Sequence, residues 1–443
     1  MADETVNALE HFQEKWTPVF RPDMRQNSQS AEIRVPHEHG FTLVIGAGQA
    51  GIAMSEHLGK AGVPHLVVER SRIAERWRSE RWDSLVANGP AWHDRFASKT
   101  FDHIAPDGFT PAAMIVDYLE EHARAIGAPV RTGVTVTRLS AGTDGKGFIA
   151  ETSAGTIAAE NVVVATGPFQ RPLIPTLVPE TAGITQIHSA HYRNPGQLPE
   201  GAVMVVGAGS SGVQIADELA KSGRKVFLSV GPHDRPPRRY RGKDFVWWLG
   251  VLGLWDLKAS KPGLEHVTIA VSGADGGKTI DFRRLGHDGI TLVGRTEAFE
   301  DGKLIFADDL AQNIALGDAN HLAMLDAADA YITDKGLDLP EEPEARVKLP
   351  DPDCVTHPLH TLDLAAAGVT SIIWATGYAL DFGLIDFDIF DAAGRPKHQG
   401  GVTEVPGLYF VGQSWLTRRA SAFIWGVWHD AAQLAGHIKA RLG

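Results

Sequence analysis

At ~100–200 residues per domain, a chain of 443 residues is too long for one compact core and suits two domains with an insertion. Hydrophobic residues make up 43% and charged residues 22%, as in a globular protein, and the net charge of −12 argues against general nucleic-acid or anionic-membrane binding. One cysteine, Cys354, excludes an intramolecular disulfide, a Cys-x-x-Cys redox pair and a multi-cysteine metal site, and fits a reducing, cytoplasmic compartment.

Residues 1–40 form a polar arm without the basic start and apolar run of a signal peptide; a short helix is expected over Glu4–Lys15. A β-rich run, Phe41–Ile45, then enters Gly46-Ala-Gly48-Gln-Ala-Gly51, a helical pattern through Lys60 and a strand, His65–Val68, ending in Glu69. Asn161-Val-Val-Val-Ala165 ends in Thr166-Gly167, and Pro168, Pro172 and Pro175 stiffen the stretch after that glycine. The first design then recurs: strand Ala202–Val206, Gly207-Ala-Gly209-Ser-Ser-Gly212, a helix through Lys221 and a strand, Lys225–Leu228, ending at Ser229.

The apolar stretch Phe245–Trp255 is too short to span a bilayer, which takes ~20 helical residues, and reads as a buried helix or a lid. Ile290–Val293 is strand-like, and Asp309 to about Lys335 carries a long helical pattern. A second strand, Ser371–Ala375, also ends in Ala-Thr-Gly, at Ala375-Thr376-Gly377. Gly407–Gly412 is another buried strand and leads to a helix over Gly426–Arg441.

The two glycine-rich turns carry the chemistry. In such a turn the first glycine permits the tight bend, the second lets backbone approach a pyrophosphate, and the third lets the helix pack close to the sheet. The helix N-terminus then offers unsatisfied N–H groups to the phosphates. One such turn can be only a turn; two, each between a strand and a helix, point to two dinucleotides. Glu69 can accept from ribose hydroxyls, as the AMP half of FAD requires. In the second unit Ser229 replaces that acid, and His233, Arg235, Arg238, Arg239, Arg241 and Lys243 come after it against Asp234 and Asp244. An arginine fork welcomes a 2′-phosphate, so NADPH is favoured over NADH; the alternative is a solvated basic loop.

The succession of a glycine-rich FAD unit, Ala-Thr-Gly, a glycine-rich NADPH unit, Ala-Thr-Gly-Tyr and Gly-Leu-Tyr-Phe-Val-Gly resembles the flavin-containing monooxygenases and their Baeyer–Villiger and N-hydroxylating relatives. The likeness covers roughly residues 41–240 and 365–443. It implies an α/β fold of two Rossmann-like dinucleotide-binding domains, the NADPH domain inserted into the FAD domain: an arm over 1–40, the FAD domain over 41–170 and 365–443, and the NADPH domain over 171–364 with a cap over 240–364. That cap either shapes substrate access or makes the contact of a homodimer. The family signature is met only in its His188-Ser-Ala-His191-Tyr192 half. Tyr192 is similar to the amine- and sulfur-oxygenating branch, while Gln214 stands where Baeyer–Villiger enzymes often carry glutamine.

Trp77-Arg-Ser-Glu-Arg81-Trp82-Asp-Ser-Leu-Val-Ala-Asn88 resembles the segment that wraps the flavin in these enzymes, and Asn88 falls on the asparagine beside the reactive edge of the ring. A neutral amide donates hydrogen bonds there without adding a charge. The resemblance thus implies Asn88 as the catalytic residue. Around the cofactors it places Gly46, Gly48, Gln49, Ala50, Gly51, Glu69, Arg70, Trp77, Val136, Ala165, Thr166, Gly167 and Gly412, then Gly207, Gly209, Ser210, Ser211, Gly212, Ser229, Arg238 and Arg239, and also Ala375, Thr376 and Gly377. No metal ligand set is expected, because the histidines lack regular spacing.

The implied reaction is FAD- and NADPH-dependent oxygenation of a small organic substrate by dioxygen at nitrogen or sulfur through a C4a-hydroperoxyflavin. Its alternatives are ketone oxygenation and a reductase or oxidase that only passes electrons. Nine of the 11 tryptophans fall near the flavin-edge segment, the Phe245–Trp255 stretch and the last strand, where they could wall a dry pocket.

Overall fold

The computed structural model describes residues 39–142, 145–258 and 268–442, so the helix expected over Glu4–Lys15 lies outside the described residues. Two five-stranded parallel sheets organise the chain. The first runs Leu408–Phe410, Asn161–Val164, Thr42–Ile45, His65–Glu69, Val130–Thr132 in spatial order. Its inner strands are continuous apolar runs because helices and a second sheet cover both faces. On one face pack the helices Gln49–Ala61, Ala112–Ala125 and Ile424–Arg441, around Ile52, Leu119, Val163 and Val427. On the other lies an antiparallel sheet, Val136–Ala141, Phe148–Thr152 and Gly155–Ala159, packed through Leu139, Phe148 and Ile157 against Leu43, Val162 and Phe410.

The second sheet runs Thr185–His188, Val369–Trp374, Ala202–Val206, Val226–Ser229, Thr291–Val293. The strand Val369–Trp374 therefore belongs to the second domain and not to the first, where a boundary at 365 would put it. It pairs in parallel with both Thr185–His188 and Ala202–Val206, and Ile372 and Ile373 are fully buried between them. The chain returns to the first domain only after this strand. There Tyr378–Ala379 runs antiparallel to Arg171–Pro172, so the two crossings lie side by side.

The cap is built on a helix, Leu310–Lys335, closed by Gly336 in the left-handed conformation. The apolar stretch folds as the helix Phe245–Val251 with Asp244 capping its start through the Val246 N–H. Trp248 is fully buried against Leu325, Ala328 and Ile332 of the long helix. That burial accounts for the apolar run, and among the described residues no helix is long and apolar enough to cross a membrane.

Candidate active site

Strand register brings the functional turns together. Ile45 pairs with both Val68 and Val164, and Val164 with Phe410, so Gly46, Glu69, Ala165 and Val411 leave the first sheet at one edge. This carboxyl edge is where open α/β sheets take their ligands. In the second sheet Val206 pairs with Ser229 and Trp374, which sends Gly207, Val230 and Ala375 to the equivalent edge.

Each turn is as tight as its glycines demand. Gly46 has φ +109°, and a Cβ on it would stand 2.7 Å from the Ala165 carbonyl oxygen. A Cβ on Gly51 would stand 1.8 Å from the oxygen of Gly46, whereas Gly48 faces open space. The second turn repeats this: Gly207 has φ +115° and would meet the Ala375 oxygen at 2.4 Å, and Gly212 the Gly207 oxygen at 1.8 Å. In neither helix does a side chain cap the first N–H groups, which stay available to a phosphate. A dinucleotide fits both cradles because each presents bare backbone where a side chain would intrude. The two Ala-Thr-Gly ends thus serve one function twice, each lying against its own glycine turn.

The other expected residues gather at the first edge with two exceptions. Glu69 accepts the Ala47 and Ser71 N–H groups, both at 2.9 Å, which holds its carboxylate under the turn. Gln49 donates to the Ala422 carbonyl and accepts from the Trp77 indole, both at 3.2 Å, tying the turn to the start of the last helix. Gly412 (φ +74°) passes so close to Ala50 that a Cβ would come within 2.4 Å of the alanine methyl. Thr166 accepts from Gln170 at 2.7 Å, and the Gly167 carbonyl from Gln413 at 3.4 Å. Arg70 is exposed, and the Val136 side chain is packed in the core beneath the edge. In the second unit Ser210 donates to the Ile269 carbonyl at 2.7 Å, placing the 268–272 loop alongside the turn.

Arg238 and Arg239 do not form the expected fork. Arg238 is 2% exposed, paired with Asp244, and donates from Nη1 to the Asn88 carbonyl at 2.5 Å. Its guanidinium lies over the rings of Phe109 and Phe245 at 4.8 and 4.7 Å. Every face is engaged, so it is a strut between the cap and the Asn88 segment rather than a phosphate reader. Arg239 is exposed and lines a cavity of about 180 Å³ within the cap, beside Arg235, Asp318 and Arg346. The Ser229 hydroxyl is buried, donating to the Gly294 carbonyl and accepting the Thr296 N–H. The side chain found against this strand exit is that of Arg295, which lies 3.3 Å from where a Cβ on Gly231 would be.

Asn88 sits in the strand Val86–Pro90, paired antiparallel with Phe109–Pro111. Its side-chain oxygen accepts from Gln214 Nε2 at 2.9 Å, a contact from the helix of the second turn. Gln214 also donates to the Val271 carbonyl at 2.7 Å. Residues that sequence reasoning passed over complete this corner. Asp94 accepts the Gly89 N–H at 2.9 Å and bonds His93 Nδ1 at 2.7 Å. His93 stacks on both Trp255 and Trp425, which also touch each other. The local signal was an acid and an imidazole a few residues beyond Asn88, but nothing in the sequence linked them to tryptophans so far along the chain.

The His188–Tyr192 half-signature is a staple. His188 donates to the Gly377 carbonyl at 2.9 Å and accepts the Ala190 N–H, and Tyr192 donates to Glu218 at 2.7 Å. Burial pushes the His188 imidazole down to about 4 against the pull of the Gly377 carbonyl, so it is neutral near pH 7. Cys354 is half-buried, with its thiol pushed up by burial, and groups of three or more metal-ligating side chains are absent among the described residues.

Two Rossmann-like units whose glycine turns flank one interdomain corner define a flavoprotein oxidoreductase of the two-dinucleotide class. Residues 43–246 match the family model described as pyridine nucleotide-disulphide oxidoreductase. The chain is 33% identical over 401 residues to an oxidoreductase named CzcO-like from Geobacillus kaustophilus, covering 89% of this chain and 97% of that one. It belongs to the family of CzcO-like oxidoreductases. Over 192 residues, 42% of this chain and 47% of the relative, it is 29% identical to the indole-3-pyruvate monooxygenase YUCCA1 of Oryza sativa. A flavin-containing monooxygenase from Stenotrophomonas maltophilia shares the fold, with TM-score 0.63 and 17% identity over 91% of this chain and 98% of that one. A dithiol-dependent disulphide reductase needs a cysteine pair, which these 443 residues do not contain.

Proposed function

We propose that the protein is an FAD- and NADPH-dependent monooxygenase that places one oxygen atom of dioxygen on nitrogen or sulfur of a small organic substrate. The observation that carries this reading is Asn88 in the flavin-edge segment, its amide oxygen held by Gln214 of the second unit. The same segment likeness supports it, as do the monooxygenase names of a relative and of a structure sharing the fold.

The first glycine turn, Glu69, Ala165–Gly167 and Gly412 would hold FAD; the second turn, Ser210 and Ala375–Gly377 would hold NADPH. Bound flavin supplies the electron transfer and the oxygen chemistry, for which a protein has no side chain of its own. The chain's residues supply orientation and dryness. With its oxygen committed to Gln214, Asn88 presents its NH2 as a fixed neutral donor, and no protein partner takes that donor among the described residues. Trp255 is buried against Trp425 and the half-exposed Phe423 beside this corner, an apolar wall that would limit water there.

The test is reduction of FAD-reconstituted protein by NADPH and by NADH, followed by ¹⁸O₂ and mass spectrometry of amine, thioether and ketone products. Label in an N- or S-oxide supports the reading. Label in an ester would move it to ketone oxygenation, and peroxide equal to NADPH consumed, whatever the substrate, would replace it with an oxidase.

A further inference from the structure

The peptide group joining Asn88 to Gly89 is gripped on both edges. Its carbonyl oxygen accepts from Arg238 Nη1 at 2.5 Å, and its N–H donates to Asp94 Oδ2 at 2.9 Å. Those two bonds fix the plane that sets the Asn88 backbone angle, while Gln214 fixes the amide at the end of the side chain. Asp94 approaches so closely that a Cβ on Gly89 would fall 2.3 Å from its Oδ1. That oxygen is itself held by His93 Nδ1 at 2.7 Å.

His93 is 3% exposed and packs against two indoles that also touch each other, Trp255 at 5.2 Å and Trp425 at 5.1 Å between ring centres, with interplanar angles of 23° and 15°. Its Nε2 is buried with no partner. An apolar ring would pack there without stranding a nitrogen. What the imidazole adds is the bond from Nδ1 to Asp94. Because Trp255 comes from the cap and Trp425 from the last helix, the stack locks His93 from two other parts of the chain.

We propose that Asp94, oriented by His93, is a positioning residue for Asn88, forming with Arg238 a two-sided clamp on the Asn88–Gly89 peptide. The inference rests on the reading of Asn88 as the amide beside the flavin. A clamped peptide keeps the amide within the narrow geometry a preorganised donor requires, and losing one edge lets the turn librate without unfolding it.

The experiment compares wild-type protein with His93→Phe, Asp94→Asn and Asp94→Leu. Hydrogen exchange is followed in the nucleotide-free protein over residues 86–95 and over the core strand 42–45. In the reconstituted protein, peroxide released per NADPH is measured together with the KM for NADPH. Loss of one ordinary hydrogen bond should speed exchange at Gly89 by about tenfold and leave the core strand unchanged. His93→Phe and Asp94→Leu should raise peroxide per NADPH severalfold at constant KM. Asp94→Asn keeps an acceptor for Gly89 and should fall between wild type and Asp94→Leu. Unchanged Gly89 exchange in Asp94→Leu, or exchange rising equally in the core strand, overturns the proposal. If the wild type itself releases one peroxide per NADPH with every substrate, the oxygenation reading fails, while the exchange arm still decides the clamp.

Discussion

The side-chain oxygen of Asn88 and Nε2 of Gln214 lie 2.9 Å apart although they belong to different domains. The amide beside the first dinucleotide edge is therefore aligned by the helix that begins the second dinucleotide site. Gln214 spends its other N–H on the Val271 carbonyl. It thus joins the flavin-edge strand, the second turn and the loop beside it.

Replacing Gln214 by leucine strands two acceptors, the Asn88 amide and the Val271 carbonyl. Stability should fall by about 1–3 kcal/mol, read from thermal or denaturant unfolding. Peroxide released per NADPH should rise severalfold, as it should in Asn88→Leu, with NADPH binding nearly unchanged in both. Retained coupling in both variants would remove Asn88 from the mechanism.

The two glycine turns should fail separately. A methyl at Gly51 collides with the Gly46 carbonyl at 1.8 Å, so Gly51→Ala should purify without flavin and resist reconstitution. Gly212→Ala makes the same collision with Gly207 and should keep its flavin spectrum while losing reduction by NADPH. Flavin content and anaerobic reduction rate distinguish the two, and a flavin-replete Gly51→Ala would contradict the assignment.

Arg238→Met should act on stability and not on nucleotide choice. Breaking a buried pair leaves Asp244 uncompensated, a loss of about 3–5 kcal/mol. The ratio of kcat/KM for NADPH to that for NADH should stay as in wild type, since the guanidinium is committed to Asp244 and Asn88. A collapse of that ratio with unchanged stability would restore the phosphate-reading role.

Acid should weaken the fold in two stages. His188 is held neutral down to about 4, below its usual 6.5, so its contribution is complete above pH 6.5 and is lost as pH falls from there to 4, on the order of 3 kcal/mol. For Glu56, burial pushes the carboxyl up, but hydrogen bonds from His122 and Lys60 outweigh it and hold it at about 2. Its contribution is complete above about 4.5 and is lost between there and 2. Unfolding temperature against pH should show both slopes. His188→Asn should lessen the first slope, to which His65, His233 and His321, likewise lowered by burial, also contribute, and Glu56→Gln should lessen the second, which Asp318 shares.

Much of this was legible because it is local. Gly46–Gly51 and Gly207–Gly212 must turn tightly between an apolar strand and a helix, where Gly46 and Gly207 take positive φ and Gly51 and Gly212 leave no room for a Cβ. The helix expected from Asp309 to about Lys335 is found as Leu310–Lys335, with Asp309 at its cap position. The last helix starts at Ile424, before Gly426. The strand Val369–Trp374 shows the limit: its apolar run identifies a buried strand but not which of two similar sheets takes it. Pairing with Thr185–His188 and Ala202–Val206 decides that.

The arginines mark the same division for the site. By itself the sequence determined two glycine-rich turns, each between a strand and a helix, an asparagine in a segment that resembles a flavin-wrapping one, and the absence of a cysteine pair, since each depends on residue identity and spacing along a few residues. Whether Arg238 meets solvent or a buried carboxylate, and which distant side chains hold the Asn88 amide and its peptide, only the tertiary structure decided. Those roles depend on burial and on partners far along the chain, and a guanidinium or an amide takes its chemistry from what it is desolvated against.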